Sequence, residues 1–171
     1  TVRREVRKTT EFNIESDRIT VNDDEVFERD PLNLLRIFTQ SHKTGAFFHP
    51  QAIRLMRQSL RLIDDNVRNS PEANRLFLEL LTSRKSPERI LRRLNEIGIL
   101  GRFVPEFGLV ISMMQFNMYH HFTVDEHLLR CVGELTSIEA GDLADEVPLS
   151  TEIITSIQNR RALYVAAFLH D

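Results

Sequence analysis

The sequence predicts an all-α bundle with one small β-hairpin near its N-terminal end. Glycine and proline are sparse, six of each in 171 residues, so long segments run without the residues that interrupt helices. Between those interruptions apolar residues recur three and four positions apart, the spacing of a helix face. Helix starts are also written repeatedly as a capping residue followed by proline: Asp30-Pro31, Ser70-Pro71 and Ser86-Pro87.

Residues 11–22, EFNIESDRITVN, depart from the helical pattern. Phe12, Ile14, Ile19 and Val21 alternate about Ser16-Asp17, which reads as a short two-stranded hairpin. In RDPLNLLRIF, Asp30 is the N-cap and Pro31 the first helical position, with Leu34, Leu35 and Phe38 on the apolar face. Pro50 opens a second helix that turns Ile53, Met56, Leu60 and Ile63 inward. Ser70-Pro71 and Ser86-Pro87 open two more, the latter stopping at Gly98. Pro105 and Gly108 break the pattern, and LVISMMQFNMYHHF then crowds methionines, aromatics and two histidines together. Thr123 as N-cap, with Glu126 three residues on, forms a capping box for a helix that Gly141 closes. Residues 142–150 read as a loop. A last helix begins near Ser150 or Thr151 and runs through the apolar ALYVAAFL to His170-Asp171.

Hydrophobic residues make up 42% and charged residues 27% of the chain, an ordinary soluble composition with material for a sizeable core. The net charge of −3 excludes an obvious polyanion binder, and no aromatic-interleaved basic platform for nucleic acid is present. Cys131 is the single cysteine, which excludes an intrachain disulfide and fits a reducing compartment. The longest apolar run is too short to span a bilayer, and TVRREVRKTT lacks an apolar signal region. A soluble, cytoplasmic protein with neither membrane nor nucleic-acid partner is expected. Arg84, Lys85, Arg89, Arg92, Arg93 and Arg102 form a basic stretch, and no Lys or Arg stands between Arg130 and Arg160. Such blocks are usually solvated helix faces, although the basic helix 87–97 is one candidate docking surface.

His42 and His49 flank a loop and read as surface residues. His120 and His121 are adjacent, so on a helix they project about 100° apart and cannot face one point. His127 borders the stripe Val124, Leu128, Cys131, Leu135 and Ile138, which predicts that it is at least half buried. It is either a core histidine or a ligand. Cys131, four residues on, could join it on zinc, but its place in the stripe favours a small buried hydrophobe. From Ala162 to Leu169 the chain is apolar on every side, which predicts a helix in the middle of a bundle. His170-Asp171 would then emerge from a core, where an unpaired carboxylate is costly and a metal ion resolves the cost.

A histidine on one helix and His-Asp after an apolar second helix resemble the HD superfamily of metal-dependent phosphohydrolases. MQFNMYHHFTVDEHLLR, ALYVAAFLHD, VFERDPLNLLRIF and PEANRLFLELL narrow the likeness. Together they resemble the family of bifunctional PII uridylyltransferase/uridylyl-removing enzymes of bacterial nitrogen regulation, from about Val26 to Asp171. The resemblance implies a helical linker over residues 1–118 and the N-terminal part of an HD domain over 119–171. It implies a nucleotidyltransferase domain that uses UTP to place UMP on the PII signalling protein, and C-terminal ACT domains that sense glutamine. The HD domain would release UMP by metal-dependent phosphodiester hydrolysis. By motif, His127, His170 and Asp171 would be metal ligands, His170 and Asp171 would be catalytic, and Mg²⁺ or Mn²⁺ would be the ion. His120 would stand beside the ligands or touch substrate phosphate.

Two departures qualify that likeness. The Gly-Ser turn with an Asp-x-Asp pair that marks the nucleotidyltransferase does not occur in these 171 residues. The further aspartate ligand implied downstream lies past Asp171, so the chain by itself is expected to be inactive. Two other readings stay open: another HD phosphohydrolase acting on a free nucleotide, and a non-catalytic helical interaction module with His127 in its core.

Overall fold

The computed structural model describes residues 11–112 and 123–170. Strands β1 (Phe12–Glu15) and β2 (Arg18–Val21) form the hairpin, pairing Phe12 with Val21 and Ile14 with Ile19. Ser16 and Asp17 take φ of 50° and 62°, the left-handed pair that matches a two-residue turn to strand twist. Helix α1 (Val26–Arg29) follows, and Asn33 anchors it by donating from its amide to the Val26 carbonyl at 3.0 Å. Helix α2 (Asn33–Thr44) starts two residues later than Asp30-Pro31 predicts. Asp30 still caps the approach, its carboxylate accepting the Leu32 N–H at 3.0 Å.

A third strand, β3 (Phe47–Phe48), lies parallel to β2 and extends the hairpin to a three-stranded sheet in the order β1-β2-β3. Two residues carry no period, so the sequence does not announce it. Helix α3 (Pro50–Gln58) is capped by His49, whose Nδ1 accepts the Gln51 N–H at 3.2 Å. It ends before Leu60, and a 3-10 turn over Leu60–Leu62 carries the chain to α4 (Asp65–Arg68). Met56 and Ile63 are buried as predicted, but Ile53 and Leu60 are only partly covered.

Helices α5 (Pro71–Leu81) and α6 (Pro87–Ile97) form from their Ser-Pro starts. Ser70 accepts the Ala73 N–H as an N-cap does. Ser86 does not cap, because its backbone is left-handed (φ 43°). Gly98, at φ 101°, ends α6 and opens α7 (Ile99–Phe103). The break expected at Gly108 is instead the interior of α8 (Pro105–Ser112). There α7 and α8 touch backbone to backbone, and a Cβ on Gly108 would lie 2.5 Å from the Gly101 carbonyl oxygen.

Helix α9 (Val124–Ala140) stops at Gly141, φ 83°. The predicted capping box is absent: Thr123 accepts no capping hydrogen bond, and Glu126 faces α6 instead. The predicted last helix is two, α10 (Pro148–Ile154) and α11 (Arg160–Phe168), with Asn159 capping the second by accepting the Ala162 N–H at 3.0 Å. Among the described residues the architecture is eleven α-helices beside one small sheet, an all-α fold with an N-terminal hairpin.

One hydrophobic cluster runs from the sheet to α11. Phe38 meets Phe48 at 4.7 Å near the sheet. At the other end Phe168 stacks on Phe107 at 5.0 Å and tilts against Phe77 at 5.9 Å, tying α11 to α5 and α8. That packing fixes where the C-terminal end of α11 lies. No helix among the described residues is long and apolar enough to cross a membrane.

Candidate metal centre

Helices α9 and α11 run antiparallel, held at one end by a charged lock. Arg160 binds the Glu139 carboxylate through Nε and, at 2.7 Å, through a terminal nitrogen, and also donates to the Thr82 carbonyl at the end of α5. Tyr164 donates its hydroxyl to Glu139 at 2.9 Å, and its ring lies 4.3 Å under the guanidinium carbon. The hydrogen bonds from Arg160 hold the Glu139 carboxyl below the usual carboxylate range. Glu139 in turn raises Arg160, and burial raises the Tyr164 phenol. At the other end of α9, Arg92 binds Glu126 at 2.7 Å and Asn95 donates to Asp125 at 3.1 Å, fastening α9 to α6.

Counting from the lock at about 1.5 Å per residue, His127 is about 18 Å along α9 and His170 about 15 Å along α11. The two histidines therefore arrive together although 43 positions separate them: their Nε2 atoms are 3.3 Å apart, with the rings edge to face. His170 Nδ1 lies 3.0 Å from the Ala167 carbonyl. A carbonyl only accepts, so Nδ1 carries the proton and the Nε2 lone pair is the one presented to His127. Cys131, one turn along α9, brings Sγ to 3.7 Å from His127 Nε2. The ligand atoms of His127, Cys131 and His170 lie within 4.8 Å of one another.

The donor set fits a metal ion. Two nitrogens bound at about 2.0–2.1 Å with a tetrahedral angle stand about 3.3 Å apart, which is the separation of the two Nε2 atoms. The tautomer-fixing bond to a backbone carbonyl is the support that metal-ligating histidines use. Beside the cluster lies a shallow, open and mainly apolar depression of about 430 Å³, bordered by Leu135, Ile138, Leu163 and Ala167 together with Cys131, Glu134 and His170.

The predicted burial of this region needs correction. His127 is exposed rather than half buried, because α9 packs on α6 and α11 through Leu128, Leu129 and Val132. The predicted stripe is displaced by about one position from that face. Cys131 is half buried at the edge of the cluster and is not a core hydrophobe. Helix α11 is not covered on every side: Tyr164 and Phe168 are buried, while Ala162, Ala166, Leu169 and His170 are exposed. Asp171, His120 and His121 lie outside the described residues.

His49 is exposed, as expected for a loop histidine. His42 is partly buried, its Nε2 2.6 Å from the Ser83 hydroxyl, and burial followed by the nearby Lys85 lowers its pKa. Nothing in the local sequence pairs positions 42 and 83. The Glu139–Arg160–Tyr164 lock has one legible sign in the sequence, that Arg160 ends the long stretch without a basic residue.

Fold and cluster together define a helical protein with a histidine-based candidate metal centre between two antiparallel C-terminal helices. Residues 12–103 match the family model described as the uridylyltransferase GlnD third domain, just over half of the chain. The chain belongs to the uridylyltransferase GlnD family. The matched span runs from β1 to the end of α7, and the histidine cluster lies outside it.

Proposed function

We propose that this chain is the helical region and the opening of the hydrolase domain of a bifunctional enzyme that attaches UMP to the PII signalling protein and removes it again. The division falls near residue 118. Residues 1–118 link to a nucleotidyltransferase domain that consumes UTP, residues 119–171 begin an HD domain, and glutamine acts through ACT domains elsewhere in the protein. Family membership supports the uridylyltransferase side. The meeting of His127 and His170 at 3.3 Å across 43 positions supports the hydrolase side.

In this reading His127, His170 and Asp171 hold a divalent cation, and His120 stands beside them or touches the substrate phosphate. The ion, when bound, supplies the Lewis acid for phosphodiester hydrolysis. The chain's own groups do the positioning. Ala167 fixes the tautomer of His170. The Arg92–Glu126 and Asn95–Asp125 bonds hold the His127 end of α9 against α6. The Arg160 lock sets the offset of α11 on α9.

The test uses full-length enzyme carrying His127→Ala, His170→Ala or Asp171→Asn. Release of UMP from modified PII falls to background in each, while UMP attachment persists, because attachment belongs to another domain. Equal loss of both activities in a folded protein, or continued release in all three variants, overturns the assignment. Family membership favours PII over a free nucleotide as the substrate.

A further inference from the structure

The histidine cluster contains a third donor that the HD pattern does not ask for. Cys131 sits four residues after His127, so both project from the same side of α9. Its Sγ is 3.7 Å from His127 Nε2. In a tetrahedral zinc site with Zn–N near 2.0–2.1 Å and Zn–S near 2.3 Å, the nitrogen-to-sulfur edge is about 3.6 Å. Two edges of such a tetrahedron are thus already in place, nitrogen to nitrogen at 3.3 Å and nitrogen to sulfur at 3.7 Å. The thiol is turned toward an imidazole and the open depression, not into the packed face of Leu128, Leu129 and Val132.

Ligand softness decides what such a set prefers. Mg²⁺ and Mn²⁺ favour oxygen donors, whereas imidazole with thiolate suits Zn²⁺ and Co²⁺. We infer that Cys131 is a metal ligand together with His127 and His170, and that the centre selects a thiophilic ion of the zinc class over Mg²⁺ or Mn²⁺. This rests on the proposed reading of the histidine pair as a metal centre.

Cobalt separates the two claims. The 171-residue chain is titrated with Co²⁺ and followed by absorption, with zinc affinity measured by competition against a chromophoric chelator. Because Cys131 is the single cysteine, any sulfur-to-cobalt charge-transfer band reports on it alone. The wild-type chain shows that near-ultraviolet band together with visible ligand-field bands. Cys131→Ala loses the charge-transfer band and binds zinc about tenfold more weakly or worse, since even groups that only support a ligand give losses of that size. His127→Ala loses both sets of bands. Ligand-field bands with no charge-transfer band in the wild-type chain overturn Cys131 as a ligand and leave the histidine centre standing. No cobalt bands at all overturn the metal centre and this inference with it. The decisive band is read in the wild-type chain, so a poorly folded variant does not obscure the answer.

Discussion

The region from β1 to α8 and the region from α9 to α11 are built from the same material and finished differently. In the first, α2, α5 and α6 each bury a full face, and few large apolar side chains reach solvent apart from Phe47 and the outer side of α8. In the second, Leu149, Ile153, Ile157 and Leu169 are exposed, and α10 buries no residue completely. The candidate centre lies in the second region, held by polar locks at both ends of α9. The contrast teaches that here a packed scaffold carries the stability, while the chemistry sits on helices placed by a few charged and aromatic contacts. That arrangement leaves the ligand atoms accessible, and it makes their geometry depend on individual side chains.

The sharpest way to break the comparison is to remove one ring from each region. Phe38→Ala and Phe168→Ala each truncate a buried phenylalanine, and each is expected to cost about 3–5 kcal/mol in urea unfolding. Their local effects should differ. Phe168→Ala removes the ring that stacks on Phe107 and joins α11 to α5, so amide exchange in α11 rises far more than in α2. Phe38→Ala leaves α11 protected up to the shared unfolding transition, because one core runs through both regions. Protection of α11 unchanged in Phe168→Ala would mean that the polar lock alone holds it.

The lock is tested next. Glu139→Gln replaces a carboxylate that binds Arg160 and Tyr164 with a neutral amide. A loss of about 1.5–3 kcal/mol at neutral pH is expected, the usual contribution of hydrogen bonds to a charged group. Its pH dependence has a definite sign. The Arg160 hydrogen bonds hold the folded-state pKa of Glu139 below its usual value. The contribution is therefore fully present above the unfolded glutamate pKa of about 4.3 and is lost as pH falls through the lower folded value. Stability of the wild-type chain should drop more steeply below about pH 4.3 than that of Glu139→Gln. Parallel curves would show that Glu139 does not titrate as the lock requires.

Within the scaffold, Gly108→Ala tests the close crossing of α7 and α8. The added methyl would meet the Gly101 carbonyl oxygen at 2.5 Å, and backbone cannot swing aside as a side chain can. Overpacking of this kind costs about 1–3 kcal/mol. A neutral result in thermal unfolding would show that the crossing relaxes freely.

How far the sequence exposes these features follows from which forces are local. The hairpin, the Ser70 cap and the stops at Gly98 and Gly141 depend on backbone preferences of a few adjacent residues, and the structure contains them. Glu126 was a plausible capping partner for Thr123, but Arg92 from 34 positions away offers it a charged hydrogen bond. β3 exists because β2 presents a free edge, which no feature of Phe47-Phe48 itself encodes. The buried face of α9 differs from its apolar stripe because the helix packs on α6, α8, α10 and α11, and no single contact defines the face they bury together. At the candidate centre, His127 and His170 could be singled out by residue type and spacing. The i+4 spacing offers Cys131 as a partner of His127, but a cysteine in an apolar stripe reads as core until the neighbouring helix brings His170 beside it.

The smallest effect belongs to α10, and it decides whether the outer face of the second region is truly open. Leu149 and Ile153 are four residues apart, so they follow one side of α10, and Ile157 lies beyond its end, with exposures of 66%, 49% and 40% respectively. A side chain already in water forfeits little when it becomes polar, and substitutions at such positions usually stay within about 0.5 kcal/mol. Leu149→Ser and Ile153→Ser should therefore leave the urea midpoint nearly unchanged at low protein concentration. A loss near the roughly 1.5–3 kcal/mol of a fully buried aliphatic side chain would mean that this face is covered in solution. Dependence of that loss on protein concentration would then identify the cover as another copy of the chain, because stability gained by association follows mass action and stability gained within one chain does not.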